Sequence, residues 1–175
     1  AIIVLEQFAH TVESVIAKTS VKHVVTTGVA DMMPFAKRVI GNFLVRNVKK
    51  MVPPYSLPGK VEFRTMLSRG AGAMFTKVSI SSGDLAFLQY TGGTTGVSKG
   101  AMLTHLNVLA NVKQGLAWTE PFLDRNELLV TVTAIPLYHI FALGMTINFI
   151  GLGGTNVLVA DPRNTKAFVA VLAKY

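Results

Sequence analysis

The sequence predicts an α/β fold in which a mostly parallel sheet is flanked by helices. Short runs rich in β-branched residues alternate along the chain with segments whose apolar residues recur every three or four positions, as in strands that alternate with amphipathic helices. A loop composed almost wholly of glycine, threonine and serine directly follows one apolar run, at the place where open α/β sheets bind ligands. Half of the 175 residues are hydrophobic and only 15% are charged, which excludes a disordered chain.

The first part of the chain predicts a β–α–β unit. Residues 2–5 form a short apolar strand, and residues 8–18 place apolar side chains at helical spacing. Residues 21–27 are rich in β-branched side chains, which predicts a second strand. His10 and His23 fall in this unit, but each stands alone, without partners for metal binding or catalysis. We therefore assign these two histidines no role.

A basic amphipathic helix is predicted over residues 34–52. Its apolar side chains form one stripe, and Pro34 suits a first helical turn. Such a helix can lie in the interface of an anionic membrane, but the pattern also fits a helix that packs on its own domain. Residues 55–83 predict an irregular surface segment with a short helix at 62–68. The basic residues expected to face an anionic membrane are Lys37, Arg38, Arg46, Lys49 and Lys50.

The positive charge of the chain is concentrated in one stretch. The formal net charge is +8, and the excess lies between residues 37 and 77, where Glu62 is the only acidic residue. A charge this localised predicts a surface that meets anions. Basic and aromatic residues are not interleaved there as they are in RNA-binding modules, so we expect no nucleic-acid partner. Cysteine is absent, which excludes disulfides and thiolate chemistry.

The second half of the chain predicts further alternation of strands and helices. Its stretch without charged residues, 128–160, raises the question of a transmembrane span. Pro136 and several glycines divide this stretch into pieces of strand and helix length, which favours a buried α/β core. In chain order, the predicted elements are a strand at 85–90, a helix from Thr104 to about 118 capped by Thr104 and Asn107, strands at 128–134 and 155–160, and a helix at 164–175.

Residues 90–100, with the sequence YTGGTTGVSKG, predict a loop that binds a polyphosphate. Glycines let the backbone approach a ligand, hydroxyls add hydrogen-bond donors, and Lys99 adds a flexible positive charge. The loop is not a Walker A motif, because Gly100 and not Ser or Thr follows Lys99. A flexible connector is the alternative, since the same residue types dominate ordinary loops. The candidate phosphate-binding residues are Thr91, Gly92, Gly93, Thr94, Thr95, Gly96, Ser98 and Lys99.

This loop resembles the phosphate loop of the AMP-forming acyl-adenylating enzymes. The longer stretch at residues 84–105, DLAFLQYTGGTTGVSKGAMLTH, is similar to that of the bacterial long-chain fatty acyl-CoA ligases. A second motif that resembles the family, PLYHIFAL, follows at residues 136–143. The commoner pattern of the superfamily has serine where this chain has Gly92 and proline where it has Ser98. The first of these differences fits the fatty-acid branch.

The resemblance implies a two-step ligase reaction that uses ATP and Mg2+, with CoA as a co-substrate. A fatty carboxylate attacks the α-phosphate of ATP to give acyl-AMP and pyrophosphate, and the CoA thiol then displaces AMP. Lys99 and His139 would be the catalytic residues, and Thr94 would share Mg2+ with the phosphates. Tyr138, His139 and Phe141 would contact the fatty acid. His139 would orient the carboxylate without acting as a base, because a carboxylate is already ionised at neutral pH.

The resemblance also implies that residues 1–175 are part of the large amino-terminal ATP- and acyl-binding domain, with segment 34–83 inside it. The chain starts at Ala1, and motifs of the carboxy-terminal domain have no match, so we expect a fragment that is inactive alone. We expect a cytoplasmic protein that associates peripherally with the inner face of the membrane. The sequence leaves open whether the protein forms a homodimer. Two alternatives remain, namely an adenylating enzyme for another carboxylic acid and a non-catalytic basic module that binds membranes.

Overall fold

The computed structural model describes residues 1–91, 98–124 and 126–175. Two compact units divide the chain, a first unit at Ala1–Lys77 and a second unit at Val78–Tyr175.

The first unit is built on a parallel sheet. Strands β1 (Ile2–Leu5), β2 (Val24–Thr27) and β3 (Val61–Glu62) lie in the order β1-β2-β3. A 3-10 turn at Glu6–Phe8 and helix α1 (Ala9–Ile16) connect β1 to β2, which confirms the predicted β–α–β unit. Strand β2 begins at Val24 and not at residue 21, because its partner β1 begins at Ile2, opposite Val24. Strand β3 was not predicted.

Buried apolar residues join α1 to the sheet of the first unit. Ala9 and Val12 of α1 are buried together with Leu57, and Val4 of β1 packs against them. This small core positions the carboxyl ends of the strands. Glu6 lies directly after the end of β1.

The predicted amphipathic helix is present, but its geometry changes along its length. Helix α2 (Phe35–Phe43) continues into a π-helical segment at Leu44–Val48 and ends before Lys50, whose φ is +49°. None of the residues of α2 or of the π-helical segment is buried. The short predicted helix appears as α3 (Phe63–Gly70).

The second unit contains a β-hairpin followed by a second β–α–β unit. Strands β4 (Leu85–Thr91) and β5 (Lys99–Thr104) pair antiparallel, and helix α4 (His105–Thr119) follows. Strands β6 (Val130–Thr133) and β7 (Thr155–Leu158) pair parallel on either side of helix α5 (Ile140–Gly151) in the sequence. Helix α6 (Thr165–Lys174) ends the unit.

The fold is therefore α/β with mostly parallel pairing, as predicted. Strand β5 is the exception, since the sequence predicts that the chain passes from the loop into α4 without a second strand. Gly100 and Ala101 have little strand propensity, and pairing with β4 decides their conformation. The charge-free stretch is divided into β6, α5 and β7, and none of the described helices is both long and apolar enough to span a bilayer.

Candidate functional site

The glycine-rich loop connects the two strands of the hairpin. At the end of the hairpin Thr91 is paired with Lys99, and the Thr91 hydroxyl donates to the Lys99 carbonyl oxygen at 3.4 Å. The loop thus leaves from and returns to a paired ladder, which fixes its two ends. The candidate residues that lie outside the described part of the chain are Gly92, Gly93, Thr94, Thr95 and Gly96.

Lys99 is the first residue of β5 and is exposed to solvent. Among the described residues, no carboxylate forms an ion pair with its ammonium group. Thr91 and Ser98, the other described members of the candidate phosphate site, are also exposed. The three side chains are therefore accessible to a ligand at the end of the hairpin.

An aromatic ring covers a glycine next to this site. Tyr90 lies opposite Gly100 in the ladder, and a Cβ atom on Gly100 would lie 3.3 Å from Cζ of the Tyr90 ring. A side chain at this position would require the exposed Tyr90 ring to shift by a few tenths of an ångström.

Asp84 closes the base of the hairpin. The Ser81 N–H donates to Oδ2 of Asp84 at 2.7 Å, and the Asp84 carbonyl oxygen accepts from the His105 N–H at 3.0 Å. Hydrogen bonds from the backbone and side chain of Ser81, together with the charge of His105, lower the pKa of the Asp84 carboxyl. The sequence analysis assigned Asp84 no role of its own. An acidic residue immediately before a predicted strand is a weak signal for this kind of turn.

Helix α4 begins with the predicted cap. The Asn107 N–H donates to the Thr104 hydroxyl at 3.2 Å, and Oδ1 of Asn107 accepts from the Thr104 N–H at 3.0 Å. This reciprocal pair is a capping box. It fixes where β5 ends and α4 begins.

The hairpin and the motif at residues 136–143 are in direct contact. Nε2 of Gln89, in β4, donates to the carbonyl oxygen of Tyr138 at 3.0 Å. The two motifs identified in the sequence are therefore adjacent. The place of His139 after a predicted strand also predicts that it shares one sheet edge with the loop. This prediction is wrong, because β4–β5 and β6–β7 form separate sheets.

His139 caps helix α5. Its Nδ1 accepts a hydrogen bond from the Phe141 N–H at 3.3 Å. A nitrogen that accepts carries no proton, so the neutral ring holds its proton on Nε2. His139, Tyr138 and Phe141 are all exposed. The sequence analysis assigned His139 to substrate contact and missed this capping role.

A mostly apolar cavity of about 340 Å³ lies beside this motif. Residues from β5, α4 and α5 line it, and Phe141 belongs both to its wall and to the motif. Its volume falls in the range of roughly 300–1,000 Å³ that is usual for ligand pockets. The apolar residues that line it include Leu103, Val108, Val112, Phe141, Leu143 and Ile147.

Comparison with known proteins decides the family. The profile of the family described as "AMP-binding enzyme" matches residues 2–175. The chain belongs to this family.

Curated relatives agree with the family assignment, and a solved structure shares the fold. A long-chain-fatty-acid–CoA ligase of Salmonella typhimurium is 51% identical over 176 residues, which cover 100% of this chain and 31% of the relative. One of Haemophilus influenzae is 49% identical, with 100% and 32% covered. The chain thus spans about a third of the length of these relatives. The inhibitor-bound N-terminal domain of FACL13 from Mycobacterium tuberculosis shares the fold, with a TM-score of 0.51 and 20% identity over 87% of this chain and 35% of that one.

The first unit of this AMP-binding family member contains a second, more highly charged cavity. It has a volume of about 520 Å³ and lies at the carboxyl ends of the parallel strands, where Glu6 and Glu62 are placed. Arg46 donates from Nε and Nη2 to the two carboxylate oxygens of Glu6, at 2.8 and 2.9 Å. Tyr55 also donates to Glu6, at 3.3 Å. The hydrogen bonds between Arg46 and Glu6, together with the charges of Glu6 and Asp31, raise the pKa of Arg46.

Asp31 is another acidic residue of this cavity, and hydrogen bonds from its neighbours satisfy its carboxylate. Partial burial opposes its ionised form, yet its pKa is lowered, because its carboxylate accepts from the Gly28 N–H at 2.7 Å, the Asn42 amide at 2.7 Å and the Thr27 hydroxyl at 3.1 Å. The charge of Arg46 acts in the same direction. In addition, Arg64 donates to the Asp31 carbonyl oxygen at 3.0 Å. These hydrogen bonds and charge interactions stabilise the first unit.

The basic residues predicted to face a membrane differ in their surroundings. Arg46 pairs with Glu6, so part of its charge is already neutralised. The Arg38 guanidinium lies 5.2 Å from the centre of the Phe35 ring. Lys37, Lys49 and Lys50 are exposed.

The described residues hold no cluster of three metal-ligating side chains. The one predicted metal contact, Thr94, lies outside the described part of the chain.

Proposed function

We propose that this chain is part of an AMP-forming long-chain fatty acid–CoA ligase. The full-length protein would activate a fatty acid with ATP to give acyl-AMP and pyrophosphate, and would then transfer the acyl group to CoA. Membership in the AMP-binding family and the names of the relatives support this reaction class. The observation that carries the proposal is the contact between the two motifs, in which Gln89 of the hairpin binds Tyr138 of the other motif.

We assign the glycine-rich loop to the β- and γ-phosphates of ATP. Lys99 would neutralise the charge that develops on the leaving pyrophosphate. Its side chain is exposed and forms no ion pair with a carboxylate among the described residues, which supports this role. Thr94 would contact Mg2+, which the phosphates share. The remaining phosphate contacts would come from Thr91, Gly92, Gly93, Thr95, Gly96 and Ser98.

We assign the motif at residues 136–143 to the fatty acid. Because Nδ1 of His139 is occupied by the Phe141 N–H, the Nε2–H group is the part of the ring that can donate to a carboxylate. Tyr138 and Phe141 would form the aromatic wall beside the carboxylate. The apolar cavity between α4 and α5 would take the acyl chain, since burial of methylene groups favours binding there.

ATP–pyrophosphate exchange by the full-length protein tests this proposal. The reaction is measured with palmitate, octanoate and benzoate, each with and without Mg2+. Exchange that requires both a long-chain acid and Mg2+ is the expected result. Exchange with benzoate alone would support the alternative, an adenylating enzyme for another carboxylic acid. No exchange with any acid by a folded protein would contradict adenylation.

We propose further that residues 1–175 belong to one amino-terminal ATP- and acyl-binding domain, which includes segment 34–83. The match of the family over residues 2–175 supports this grouping. A chain that spans about a third of its relatives' length would lack part of the site, so residues 1–175 expressed alone should show no exchange.

We also propose that the protein is cytoplasmic and associates with the inner, anionic face of the membrane through α2. The apolar face of this helix is exposed, with Phe35 at 73% and Ile40 at 59% exposure, and exposed lysines flank it. Apolar burial and attraction to anionic lipid would add together. Lys37, Lys49 and Lys50 would contribute most, Arg38 less, and Arg46 least because of its pairing with Glu6.

Vesicle flotation tests the membrane proposal. Full-length protein should float with phosphatidylglycerol vesicles but not with phosphatidylcholine vesicles, and binding should fall at high salt. Replacing Lys49 and Lys50 by alanine should weaken flotation several-fold, whereas replacing Lys166 and Lys174 of α6 should not. Equal flotation of both double variants would contradict a role for the basic residues that follow α2. Flotation without any exchange activity would favour the non-catalytic membrane module.

A further inference from the structure

Gln89 is the residue that connects the hairpin to the motif at residues 136–143. It is half-buried and lies two residues before the end of β4, opposite Ala101 in the ladder. Its Nε2 group donates to the Tyr138 carbonyl oxygen at 3.0 Å and also lies 3.5 Å from the carbonyl oxygen of Tyr90. One side-chain amide therefore spans the backbones of both motifs.

Among the described residues, the hydrogen bond of Gln89 is the one that joins the hairpin to the segment at residues 134–139. Residues 134–139 belong to neither a helix nor a strand, and the His139 N–H bonds only locally, to the Pro136 carbonyl oxygen at 2.9 Å. Between β4 and this segment there is a cavity of about 350 Å³, lined by Leu88, Gln89, Leu137 and Tyr138 among others. Because a cavity lies between the two elements, we expect their distance to depend on the hydrogen bond of Gln89.

The anchored carbonyl belongs to the peptide that leads into His139. That residue caps α5 through its Nδ1 atom, so a displacement of the Tyr138–His139 peptide would also move the Nε2–H donor. A shift of about 1 Å in a positioning group can cost roughly 100-fold in rate. The position of His139 relative to Lys99 would therefore respond to the side chain at position 89.

We propose that Gln89 is a positioning residue for acid activation, which sets the distance between the carboxylate-binding motif and Lys99 at the end of the hairpin. This inference rests on the proposed function. The amide is suited to this role because it donates a hydrogen bond without bringing charge next to a polyphosphate. Methionine would match its length but could not donate, and an ionised glutamate would repel the Tyr138 carbonyl oxygen.

The test is ATP–pyrophosphate exchange by full-length Gln89→Met and Gln89→Glu, with palmitate as the acid. We expect kcat to fall about 10- to 100-fold in both variants. The KM for ATP should stay within about twofold and the thermal unfolding midpoint within about 2 °C, since the site for ATP itself is not moved. Gln114→Met, on the exposed surface of α4, is the matched control and should behave like the wild type.

The outcomes separate this inference from the proposed function. An active wild type with unchanged kcat in either Gln89 variant would overturn the positioning role and leave the ligase proposal intact. Equal losses in kcat, ATP affinity and thermal stability would show that Gln89 is merely structural, which also overturns the inference. If the wild type shows no exchange, the proposed function fails, and the inference fails with it.

Discussion

The charged cavity of the first unit and the hairpin of the second unit hold their charged groups in opposite ways. In the cavity, Arg46 binds both carboxylate oxygens of Glu6, and the Asn42 amide, the Thr27 hydroxyl and a backbone N–H saturate Asp31. In the hairpin, Lys99 is exposed and pairs with none of the described carboxylates. The charges of Glu6, Asp31 and Arg46 in the larger cavity are thus satisfied internally, whereas the hairpin keeps the charge of Lys99 available.

This contrast shows that the number of charged groups is a poor guide to a ligand site. The cavity of the first unit, at about 520 Å³, would be chosen over the apolar cavity of about 340 Å³ by size and charge alone. Ion pairs and saturated carboxylates contribute to folding, and a ligand would have to break them in order to bind. An accessible cation beside glycines and hydroxyls needs no such rearrangement.

The largest expected effect is that of replacing Lys99, and its absence would contradict this comparison. Lys99→Ala in the full-length protein should lower kcat for ATP–pyrophosphate exchange about 100- to 1,000-fold, because it removes a donor to the leaving pyrophosphate. Lys113→Ala, an exposed lysine of α4, is the matched control and should leave the rate unchanged. Equal rates in both variants would exclude Lys99 from the reaction.

A second substitution sharpens the assignment of the apolar cavity. Gly144 lines it, and a Cβ atom there would meet Oδ1 of Asn111 at an ordinary 3.5 Å, so the backbone tolerates a side chain. Gly144→Leu should fill the cavity and lower exchange with palmitate at least about 10-fold, while octanoate is affected much less.

Gly151→Leu serves as the control for this substitution. Gly151 is the last residue of the same helix, and a Cβ atom there would have no atom within 4 Å. Equal effects of the two substitutions on palmitate and octanoate would show that the cavity does not hold the acyl chain.

A third prediction concerns the internal charge of the first unit. The lowered pKa of Asp31 means that its ionised form stabilises the fold above the unfolded pKa of about 3.9, and that this contribution is lost as the pH falls through the lowered value. The protection of residues 24–31 against hydrogen exchange, corrected for the intrinsic pH dependence of amide exchange, should therefore fall on acidification from about pH 6 to pH 3.

Asp31→Asn should remove most of that acid-dependent change and make exchange faster already at pH 6, by the equivalent of about 1–2 kcal/mol. Glu13→Gln on α1 is the control and should retain the wild-type profile. ATP–pyrophosphate exchange by the full-length protein should persist in Asp31→Asn. Loss of this activity would contradict a purely structural role for the charged cavity.

The smallest expected effect tests the support of the hairpin. Thr104→Ala should destabilise the start of α4 by about 1 kcal/mol, since it removes the capping box. Hydrogen exchange over residues 104–112 measures this change. Thr119→Ala is the control, because that hydroxyl donates to the carbonyl oxygens of Gly115 and Leu116 within the same helix. An equal effect at both positions would show that the cap does not define the end of β5.

Local signals in the sequence account for much of the fold. The pair Thr104 and Asn107 predicts the start of α4, and the β-branched runs predict β2 and β6, because caps and strand patterns depend on neighbouring residues. Strand β5 could not be predicted in this way, since Gly100 and Ala101 extend only through pairing with β4.

The candidate site shows the same division. The sequence motifs identify Lys99 and His139, but the contact between Gln89 and Tyr138 joins residues far apart in the chain and leaves no local pattern. The capping role of His139 was missed because histidine is an unusual N-cap residue. The predicted role of Arg46 at a membrane could not anticipate Glu6, which lies on another element.

The most direct test of the central claim is the affinity of magnesium–ATP, measured by isothermal titration calorimetry on the full-length wild type, Lys99→Ala and Arg64→Ala. Arg64 lines the charged cavity of the first unit, and Lys99 lies at the end of the hairpin. We predict that Lys99→Ala raises Kd at least about 10-fold, as expected for a lost hydrogen bond to a charged group, and that Arg64→Ala leaves it unchanged. A raised Kd in Arg64→Ala together with a wild-type Kd in Lys99→Ala would contradict the account.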